Sequence, residues 1–331
     1  MIKENKNKLK FVAVTLPLDI KDGILIDTHD INEIQTITDY INNNDIKKVS
    51  IQGCTNLDFL EKCKNIEFVD IRIPYQISAQ EYMNKSYKMK EIHEEFLICD
   101  LTPLENLDKL KYLSVSTIEF PNLNISVSLD ATKFSNLEYY AGEYKYIENS
   151  MKDLKSLKTL QANSFKSKHK NLSALCNLSN LESLNLISSN IQSLDGIEKL
   201  DKLKELALSY NRGLQNIDSL AHVSKSLCSL VLEKSAKIKR LEVLKELNNL
   251  VRLNLVGDNE LEDLSFINNM PCLKTFIFEF NILNGNLDNC LNLSYVYSYI
   301  NRKHYNLNDK DLPKIKFFKG NESIVDWLRL N

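Results

Sequence analysis

Apolar residues recur along most of this chain with one spacing. In the stretch LESLNL, from Leu181 to Leu186, leucine stands at relative positions 1, 4 and 6. The same frame of apolar residues starts at residues 46, 66, 89, 110, 137, 157, 181, 203, 227, 250, 273, 293 and 312. Successive frames are 19 to 27 residues apart. Self-similarity at this period indicates a repeat protein in which each frame forms one rung.

The alternation inside each frame predicts a strand. Residues two apart in a strand lie on one face, so positions 4 and 6 should point into the core while positions 3, 5 and 7 point outward. A single rung cannot bury its own leucines, whereas stacked rungs share a continuous core beside a parallel sheet. With about 22 residues per rung, the opposite side has room for 3₁₀ or irregular turns but not for long helices.

The weakest frame is MKEIHE, which begins at Met89. It fills a double-length interval between the frames at Ile66 and Leu110. Glu94 stands where the pattern requires an apolar residue. We expect this frame to form a rung between its two neighbours, with a local distortion near His93 and Glu94.

The pattern resembles the leucine-rich repeat family, whose repeat reads L-x-x-L-x-L-x-x-N-x-L. The likeness covers residues 46–317 and is greatest to the short bacterial and SDS22-like subclasses. It implies an α/β solenoid, a leucine-rich repeat horseshoe of about 13 rungs whose parallel concave sheet carries positions 3, 5 and 7 outward. The asparagine of the repeat, which satisfies backbone groups in the turn after the strand, is matched only in part. It has counterparts at or next to Asn190, Asn211, Asn259 and Asn281.

Both ends of the chain are predicted to cap the repeats. Residues 1–45 are expected to form an N-terminal cap with strands over Leu9–Leu16 and Ile24–Asp27 and a helix over Asp30–Ile41, opened by a capping box. Residues 318–331 are expected to form a C-terminal capping helix that turns Trp327 to the last rung. Caps and repeats would then make one continuous structural domain.

Three tyrosines stand two apart in the frame that begins at Leu293. Tyr295, Tyr297 and Tyr299 occupy positions 3, 5 and 7, so we expect them on the outward, concave face. Tyrosine offers a large, stiff contact area and a hydroxyl, which suits protein recognition. The other candidates for partner binding on this face are Ile277, Glu279, Phe280, Arg252, Asn254 and Asp258, with Tyr139 and Tyr144 in mid-chain beside Glu143 and Tyr146. The alternative left open is that a long sheet carries tyrosines because they favour strands.

Composition and charge narrow the class of partner. The 331 residues are 43% hydrophobic, which is ample for a well-buried core. The net charge is -2, from 42 basic and 44 acidic residues, so neither nucleic acid nor an anionic membrane is expected as a partner. No apolar stretch reaches 18 residues, so no transmembrane helix is predicted. The apolar run near the N-terminus is interrupted by Lys10 and Pro17, which favours a strand over a secretion signal.

Sequence motifs for catalysis, cofactors and metals are missing. Seven cysteines contain no C-x-x-C pair, which favours reduced thiols over disulfides or a zinc site. No two glycines lie within five residues of each other, so G-x-G-x-x-G and the P-loop are excluded. H-E-x-x-H and G-x-S-x-G are also missing. We therefore expect no catalytic residue, cofactor or metal, and we expect Cys63 and Cys290, which take leucine positions, in the core.

These observations favour a non-catalytic protein that binds another protein by occlusion or scaffolding through its concave face. We expect a monomeric, cytoplasmic protein of bacterial origin. One candidate role is an immunity protein that inhibits a toxin, because caps and repeats use the whole chain. The alternative is a secreted or surface effector or adhesin similar to the internalins, although no signal peptide or anchoring sequence is visible. An enzyme with a site around His29 or His93 is the least favoured hypothesis.

Overall fold

The computed structural model describes residues 11–16, 20–27, 31–52, 57–73, 100–117 and 128–314. Within them the chain forms one α-helix, fifteen strands and a series of short 3₁₀ helices. The chain divides into two compact units, Met1–Leu157 and Lys158–Asn331. Each unit is built around its own run of parallel strands.

The first unit begins with an antiparallel hairpin and continues as a parallel sheet. Its elements are β1 (Phe11–Leu16), β2 (Ile20–Asp27), α1 (Ile31–Asn43), β3 (Lys48–Gln52), β4 (Phe68–Ile73), β5 (Tyr112–Thr117) and β6 (Tyr139–Glu143). β1 pairs with β2 in antiparallel fashion, and β2 to β6 follow one another in parallel. The 3₁₀ helices of this unit are Asp58–Lys62, Thr102–Asn106, Ala131–Lys133, Tyr144–Tyr146 and Met151–Asp153.

The helix α1 packs on the first 3₁₀ turn of the repeats. Ile37 and Ile41 are buried, as their spacing of four predicts. The side-chain amide of Asn42 donates to the carbonyl oxygen of Lys62 at 3.0 Å. The predicted strands and helix of this segment are thus present. Asp30, which was expected to open the capping box, and residues 315–331, which include Trp327, lie outside the described residues.

β4 and β5 are direct neighbours in the sheet. Val69 pairs with Leu113, and the backbone N–H of Lys111 donates to the carbonyl oxygen of Glu67 at 2.8 Å. The prediction that a rung from Met89 stands between them is therefore wrong, and residues 74–99 themselves lie outside the described ranges. The physical reason is that the inward position of that frame carries Glu94, which a packed core does not accept unpaired.

The second unit continues the parallel arrangement. Its strands are β7 (Thr159–Asn163), β8 (Ser183–Ile187), β9 (Glu205–Ser209), β10 (Ser229–Glu233), β11 (Arg252–Val256), β12 (Glu260–Leu261), β13 (Thr275–Phe278), β14 (Asn281–Ile282) and β15 (Tyr295–Ser298). The sheet runs β7-β8-β9-β10-β11-β13-β15, while β12 and β14 form a separate parallel pair. The 3₁₀ helices are Ser173–Leu175, Ile197–Lys199, Asp218–Val223, Glu242–Glu246, Ser265–Asn269, Asp288–Asn292 and Asp309–Asp311. The frame at Leu312 forms no strand in its described residues, 312–314.

The core of the second unit consists of the frame residues that the alternation assigned to it. Leu181, Leu184 and Leu186 are buried, whereas the intervening Ser183 and Asn185 remain partly exposed. Complete removal of a leucine side chain from water is worth roughly 1.5–3 kcal/mol. Because every rung repeats this burial against its neighbours, the sheet and the 3₁₀ turns enclose one continuous apolar layer.

The residue that follows each of the four strands β7 to β10 turns the backbone away from the sheet. Ser164, Ser188, Tyr210 and Lys234 all occupy position 8 of their frames and have φ between 49° and 58°. This left-handed conformation is uncommon for residues other than glycine, and it recurs because the turn requires it. The buried Asn211 follows this position: its Oδ1 accepts from the backbone N–H of Ser189 at 2.8 Å. The turn role that the resemblance implied for asparagine is confirmed at this residue.

Candidate protein-binding face

The open face of the second unit is the side of its sheet that carries positions 3, 5 and 7 of each frame. In-register parallel pairing aligns these positions into rows across β11, β13 and β15. The rows are Arg252, Thr275 and Tyr295 at position 3, Asn254, Ile277 and Tyr297 at position 5, and Val256, Glu279 and Tyr299 at position 7. Residues that are 20 or more positions apart in the chain therefore meet on one surface.

Two of the three tyrosines are well exposed at the end of this face. Tyr297 is 36% exposed, Tyr299 is 54% exposed and the adjoining Ile300 is 40% exposed. The rings of Tyr297 and Tyr299 meet edge to face, with centroids 4.9 Å apart and 79° between their planes. Edge-to-face contact holds both rings in a defined orientation, so the pair offers a rigid aromatic surface.

Lys314 anchors the other end of the tyrosine group. Its Nζ lies 5.5 Å from the ring centroid of Tyr295 and 5.2 Å from that of Tyr297, distances typical of cation–π contacts. The same ammonium donates to Asp309 Oδ1 at 2.7 Å and to the backbone carbonyl of Val296. Burial, followed by the negative charge of Asp309, raises the pKa of the Tyr295 hydroxyl. Tyr295 is thus the partly buried ring of the group, and Tyr297 and Tyr299 are the rings that a partner can reach.

Charged side chains on this face are held by a long-range ion pair. Lys234 Nζ lies 2.9 Å from Glu279 Oε2 and reaches it across the rung of Gly257. Gly257 takes position 8 of that rung with φ of 140°, so no side chain stands between the two charges. The hydrogen bond to Glu279 raises the pKa of Lys234. Asp258, beside Gly257, is exposed.

Two predicted site residues are not on the surface. Phe280 is 2% exposed and Tyr144 is 4% exposed, so their expected place on the outward face is wrong. Both follow the end of a strand: β13 ends at Phe278, and Tyr144 opens a 3₁₀ helix. Both stand at position 8 of their frames, which alternation from the inward positions 4 and 6 places on the inward side. Glu143 and Tyr146 are buried in the same way.

Asn254 lies in the expected row but is largely covered. Its side chain is 8% exposed, and its Oδ1 accepts a hydrogen bond from Arg252 Nε at 3.3 Å. Arg252 and Ile277 are half-buried around it. Asn254 therefore contributes to this face by orienting Arg252 and not by offering its own surface.

The first unit carries a separate aromatic row on the equivalent side of its sheet. Phe68 and Tyr112 stack with centroids 3.8 Å apart and 15° between planes, and Tyr112 and Tyr139 stack at 4.0 Å and 8°. Tyr139 was expected on this face, whereas Tyr112 was missed because a rung was expected between it and Phe68. The sequence signal that could have shown this strand pairing is the opposite charge at position 2 of the successive frames. There, Glu67 lies 3.3 Å from Lys47 and 2.7 Å from Lys111.

Metal sites, reactive cysteines and membrane-spanning helices were also looked for among the residues that the structure describes. In that part of the chain, no three or more His, Cys, Asp or Glu side chains are grouped to hold a metal ion. Cys63 and Cys290 are buried, which confirms their predicted core positions, and burial raises their pKa values to about 11 and about 12. No helix in the described ranges is long and apolar enough to cross a membrane.

Comparison with known proteins supports one fold. No protein-family model matches the sequence, and no curated protein matches it. Among solved structures, an internalin (inlF) of Listeria monocytogenes aligns with a TM-score of 0.53 at 18% identity, over 84% of this chain and 81% of the internalin chain. The chain has the leucine-rich repeat fold. A leucine-rich repeat protein of Leptospira interrogans aligns with a TM-score of 0.45 at 14% identity, over 83% of this chain and 77% of the other.

The leucine-rich repeat fold determines which residues remain for recognition. Positions 4 and 6 are committed to the core, so contacts must come from positions 3, 5 and 7 and from the turns. In β7 and β8 these positions carry small or polar residues such as Gln161 and Asn185. In β11, β13 and β15 they carry Arg252, Glu279 and the tyrosines. The candidate site therefore lies at the β11–β15 end of the open face.

Proposed function

We propose that this protein binds another protein through the open face at β11, β13 and β15, and that it acts without catalysis by occluding or scaffolding that partner. The observation that carries this proposal is the pair of exposed tyrosines, Tyr297 and Tyr299, with the exposed Ile300 beside them. Large apolar groups side by side in water are characteristic of interaction sites. Tyrosine is among the residues that dominate the binding energy of protein interfaces.

Preorganisation of this surface supports the same function. Edge-to-face contact fixes Tyr297 against Tyr299, Lys314 lies over Tyr297, and the backbone beneath belongs to a strand. A side chain that is already ordered loses little conformational entropy when a partner binds, which improves affinity. The surface is thus built to bind without first rearranging.

Within this function, we favour inhibition of a toxin by an immunity protein in the bacterial cytoplasm. A rigid recognition surface that carries no catalytic group can inactivate a partner simply by covering its active site. The alternative is a secreted or surface effector or adhesin, in which the same face would bind a host protein. Monomeric behaviour is part of the proposal, because the tyrosine pair would then be available to a foreign partner.

The test uses affinity capture followed by a measured affinity. The full chain would be used to capture partners from lysate and culture medium of its native organism, and each captured protein would then be purified. We expect one partner whose Kd weakens by at least about 30-fold for Tyr297→Ala/Tyr299→Ala, since loss of even one interface hot spot costs roughly 2 kcal/mol or more. Partner enzymatic activity with and without this protein would decide between inhibition and scaffolding.

The matched control is Tyr210→Asn. Tyr210 is exposed to a similar extent, 46%, but lies in the turn after β9 with φ of 58°, which asparagine tolerates. It should bind the partner like the wild type. A partner that loses affinity equally for both variants, or for neither, would reject this face as the site. Recovery of the protein in the culture medium would favour the secreted alternative.

A further inference from the structure

A groove lies on the turns that follow β10, β11 and β13, beside the short strands β12 and β14. We call it the turn groove, and its lining comes from residues within 236–242 and 258–266 and from Leu283. Its volume is about 500 Å³, within the range of roughly 300–1,000 Å³ that small ligands occupy. The described lining residues include none at positions 3, 5 or 7 of their frames, so the turn groove is separate from the open face.

Part of this lining is apolar. Leu261 is buried, the ring of Phe266 is half-buried, and Leu283 is 44% exposed. An edge-to-face contact with the buried Phe276 positions the ring of Phe266, with centroids 6.4 Å apart and 85° between the planes. The turn groove therefore combines a positioned aromatic ring with aliphatic surface that remains in water, as interaction sites do.

Carboxylates outnumber cations in and around the turn groove. The acidic residues of the lining are Glu242, Asp258, Glu260, Glu262 and Asp263, and its basic residue is Lys239. Two cations act from outside the lining: Arg240 lies 3.8 Å from Glu242, and Lys234 interacts electrostatically with Asp258. Both are shared with other acids, since Arg240 also lies 3.9 Å from Asp218 and Lys234 pairs with Glu279. The turn groove thus keeps an excess of negative charge, and a concave surface concentrates the field of such charges.

Hydrogen bonds order two of these carboxylates without removing their charge. The backbone N–H of Ser265 donates to Asp263 Oδ1 at 2.7 Å, and hydrogen bonds from Ser265 lower the pKa of Asp263. The side-chain amide of Asn281 donates to Glu260 Oε1 at 3.2 Å. A carboxylate that accepts from a neutral N–H keeps its negative charge, so both acids are positioned and still able to attract a cation.

Asn259 lines the turn groove between Asp258 and Glu260 and has an unmet acceptor. It is 8% exposed, and its Nδ2 donates to the carbonyl oxygen of Ile238 at 2.8 Å, which fixes the orientation of the amide. Its Oδ1 has no donor in the part of the chain that the structure describes, whereas Oδ1 of Asn211 accepts from a backbone N–H. Because a buried acceptor without a donor is unfavourable, this part of the lining suits a ligand that brings N–H groups.

We propose that the turn groove binds an arginine side chain of a partner protein. The carbon stem of an arginine can lie on Leu261 and Leu283 while its charged head reaches the carboxylates. A guanidinium stacks on aromatic faces such as that of Phe266, and its planar fork of donors matches carboxylate and amide oxygens. The inference goes beyond the proposed function, because it concerns the turns and stands whether or not the tyrosine pair binds a partner.

A metal ion and a lysine fit the turn groove less well than an arginine. In the described ranges no three or more His, Cys, Asp or Glu side chains are grouped to hold a metal ion, so these carboxylates do not form a coordination site. A lysine ammonium is a compact, strongly hydrated charge, whereas a guanidinium spreads its charge and its donors over a plane. Charge complementarity and the aromatic ring together select arginine.

The experiment observes the turn groove by NMR of the full chain, labelled at its leucine methyl groups, and requires no identified partner. The probe is N-acetyl-arginine N-methylamide. The neutral control probe is the citrulline analogue, which keeps the shape of arginine and lacks its charge. Leu283 reports on the groove, and its resonances are assigned with Leu283→Ile. Leu291 is the matched control residue, because it is 48% exposed and is not among the lining residues.

We expect the Leu283 resonances to shift along a saturable curve, with a Kd for the arginine probe at least about tenfold below that of the citrulline probe, because charge-assisted hydrogen bonds are the stronger ones. Leu291 should shift weakly and without saturation. Asp258→Asn combined with Glu262→Gln should weaken the binding of the arginine probe by at least about fivefold. Glu246→Gln, which changes an exposed acid outside the lining, should bind the probe like the wild type.

Equal responses of Leu283 and Leu291, or equal Kd values for the arginine and citrulline probes, would overturn the proposal. N-acetyl-lysine N-methylamide that binds as tightly as the arginine probe would also overturn it. Displacement of the arginine probe by calcium chloride, beyond that by sodium chloride at the same ionic strength, would assign the groove to a metal ion instead. An equal loss of binding in Glu246→Gln would show that overall charge, and not the turn groove, attracts the probe.

Discussion

Phe68 and Tyr112 stack face to face with ring centroids 3.8 Å apart, although residues 74–99 lie between them in the sequence. Tyr139 continues the row on the other side of Tyr112 at 4.0 Å. The row exists because β4, β5 and β6 pair in register, so position 3 of each strand faces the same position of the next. Cross-strand aromatic pairs stabilise the register that creates them.

We expect Tyr112→Ala to lower the free energy of unfolding by about 2–3 kcal/mol, because it removes a ring stacked on both faces. Tyr112→Phe keeps the ring and should retain most of that stability. Urea unfolding followed by circular dichroism would measure both variants. If Phe and Ala substitutions cost the same amount, the hydroxyl and not the stack would be the stabilising group.

Glu67 should make stability depend on pH. Hydrogen bonds from Lys111 and then from Lys47 hold the pKa of Glu67 below its usual value of 4.5. A carboxyl with a lowered pKa in the folded state stabilises the fold above its unfolded pKa and loses that effect as the pH falls through the folded value. We therefore expect the wild type to exceed Glu67→Gln in urea midpoint at pH 7, and the two to converge in strongly acidic solution.

The control for this pH effect is Glu61→Gln. Glu61 is exposed and forms no ion pair within the described ranges. The difference in urea midpoint between Glu61→Gln and the wild type should be the same at pH 7 and in strongly acidic solution. Added salt at pH 7 should also reduce the effect of Glu67→Gln, because ions screen exposed charges. A Glu67→Gln gap that persists at low pH would mean that packing, and not charge, stabilises this position.

Asn211 should be among the costliest polar residues to remove. It is buried, accepts from the backbone N–H of Ser189 at 2.8 Å, and donates to the carbonyl oxygen of Leu186 at 3.0 Å. Asn211→Ala leaves both backbone groups without a partner, so we expect a loss of about 2–4 kcal/mol in unfolding free energy.

Asn190 provides the matched comparison for Asn211. It is exposed, and it makes the corresponding bonds to the backbone of Ser167 at 2.9 Å and 3.2 Å. Because Asn190 itself is exposed, its truncation should open the backbone groups of Ser167 to water, so Asn190→Ala should cost only about 1 kcal/mol. Urea unfolding of both variants measures the two losses of unfolding free energy. Equal losses would show that burial does not determine how much this turn asparagine stabilises the fold.

Alkylation should separate four of the described cysteines into two groups. Cys176 and Cys272 are exposed, whereas Cys63 and Cys290 are buried and burial raises their pKa values to about 11 and about 12. Since the thiolate is the reactive form, iodoacetamide at pH 8 should label the exposed pair first. The buried pair should react only in denaturant, as peptide mass spectrometry would show. Rapid labelling of Cys290 in the native protein would contradict its place in the core.

The tertiary structure decided which frames become neighbouring rungs. The frame at Met89 has nearly the right spacing, yet β4 pairs directly with β5. Spacing alone cannot identify a strand's partner, because pairing is a long-range choice made by hydrogen bonds and by side chains on both strands. Charge alternation carried part of that information: a rung at Met89 would set Lys90 beside Lys111, whereas the observed pairing sets Glu67 there.

The sequence by itself determined the fold and the inward residues, because a repeated leucine spacing leaves one arrangement in which every rung buries its apolar side. It also placed Tyr297 and Tyr299 on the open face, since alternation within a strand is a local property. Alternation also assigns position 8, and so Phe280 and Tyr144, to the inward side, whereas only the tertiary structure showed that Glu143 at position 7 is buried and that Lys234 pairs with Glu279. Burial and charge pairing depend on side chains from neighbouring rungs, and the sequence of one rung does not specify which side chains those are.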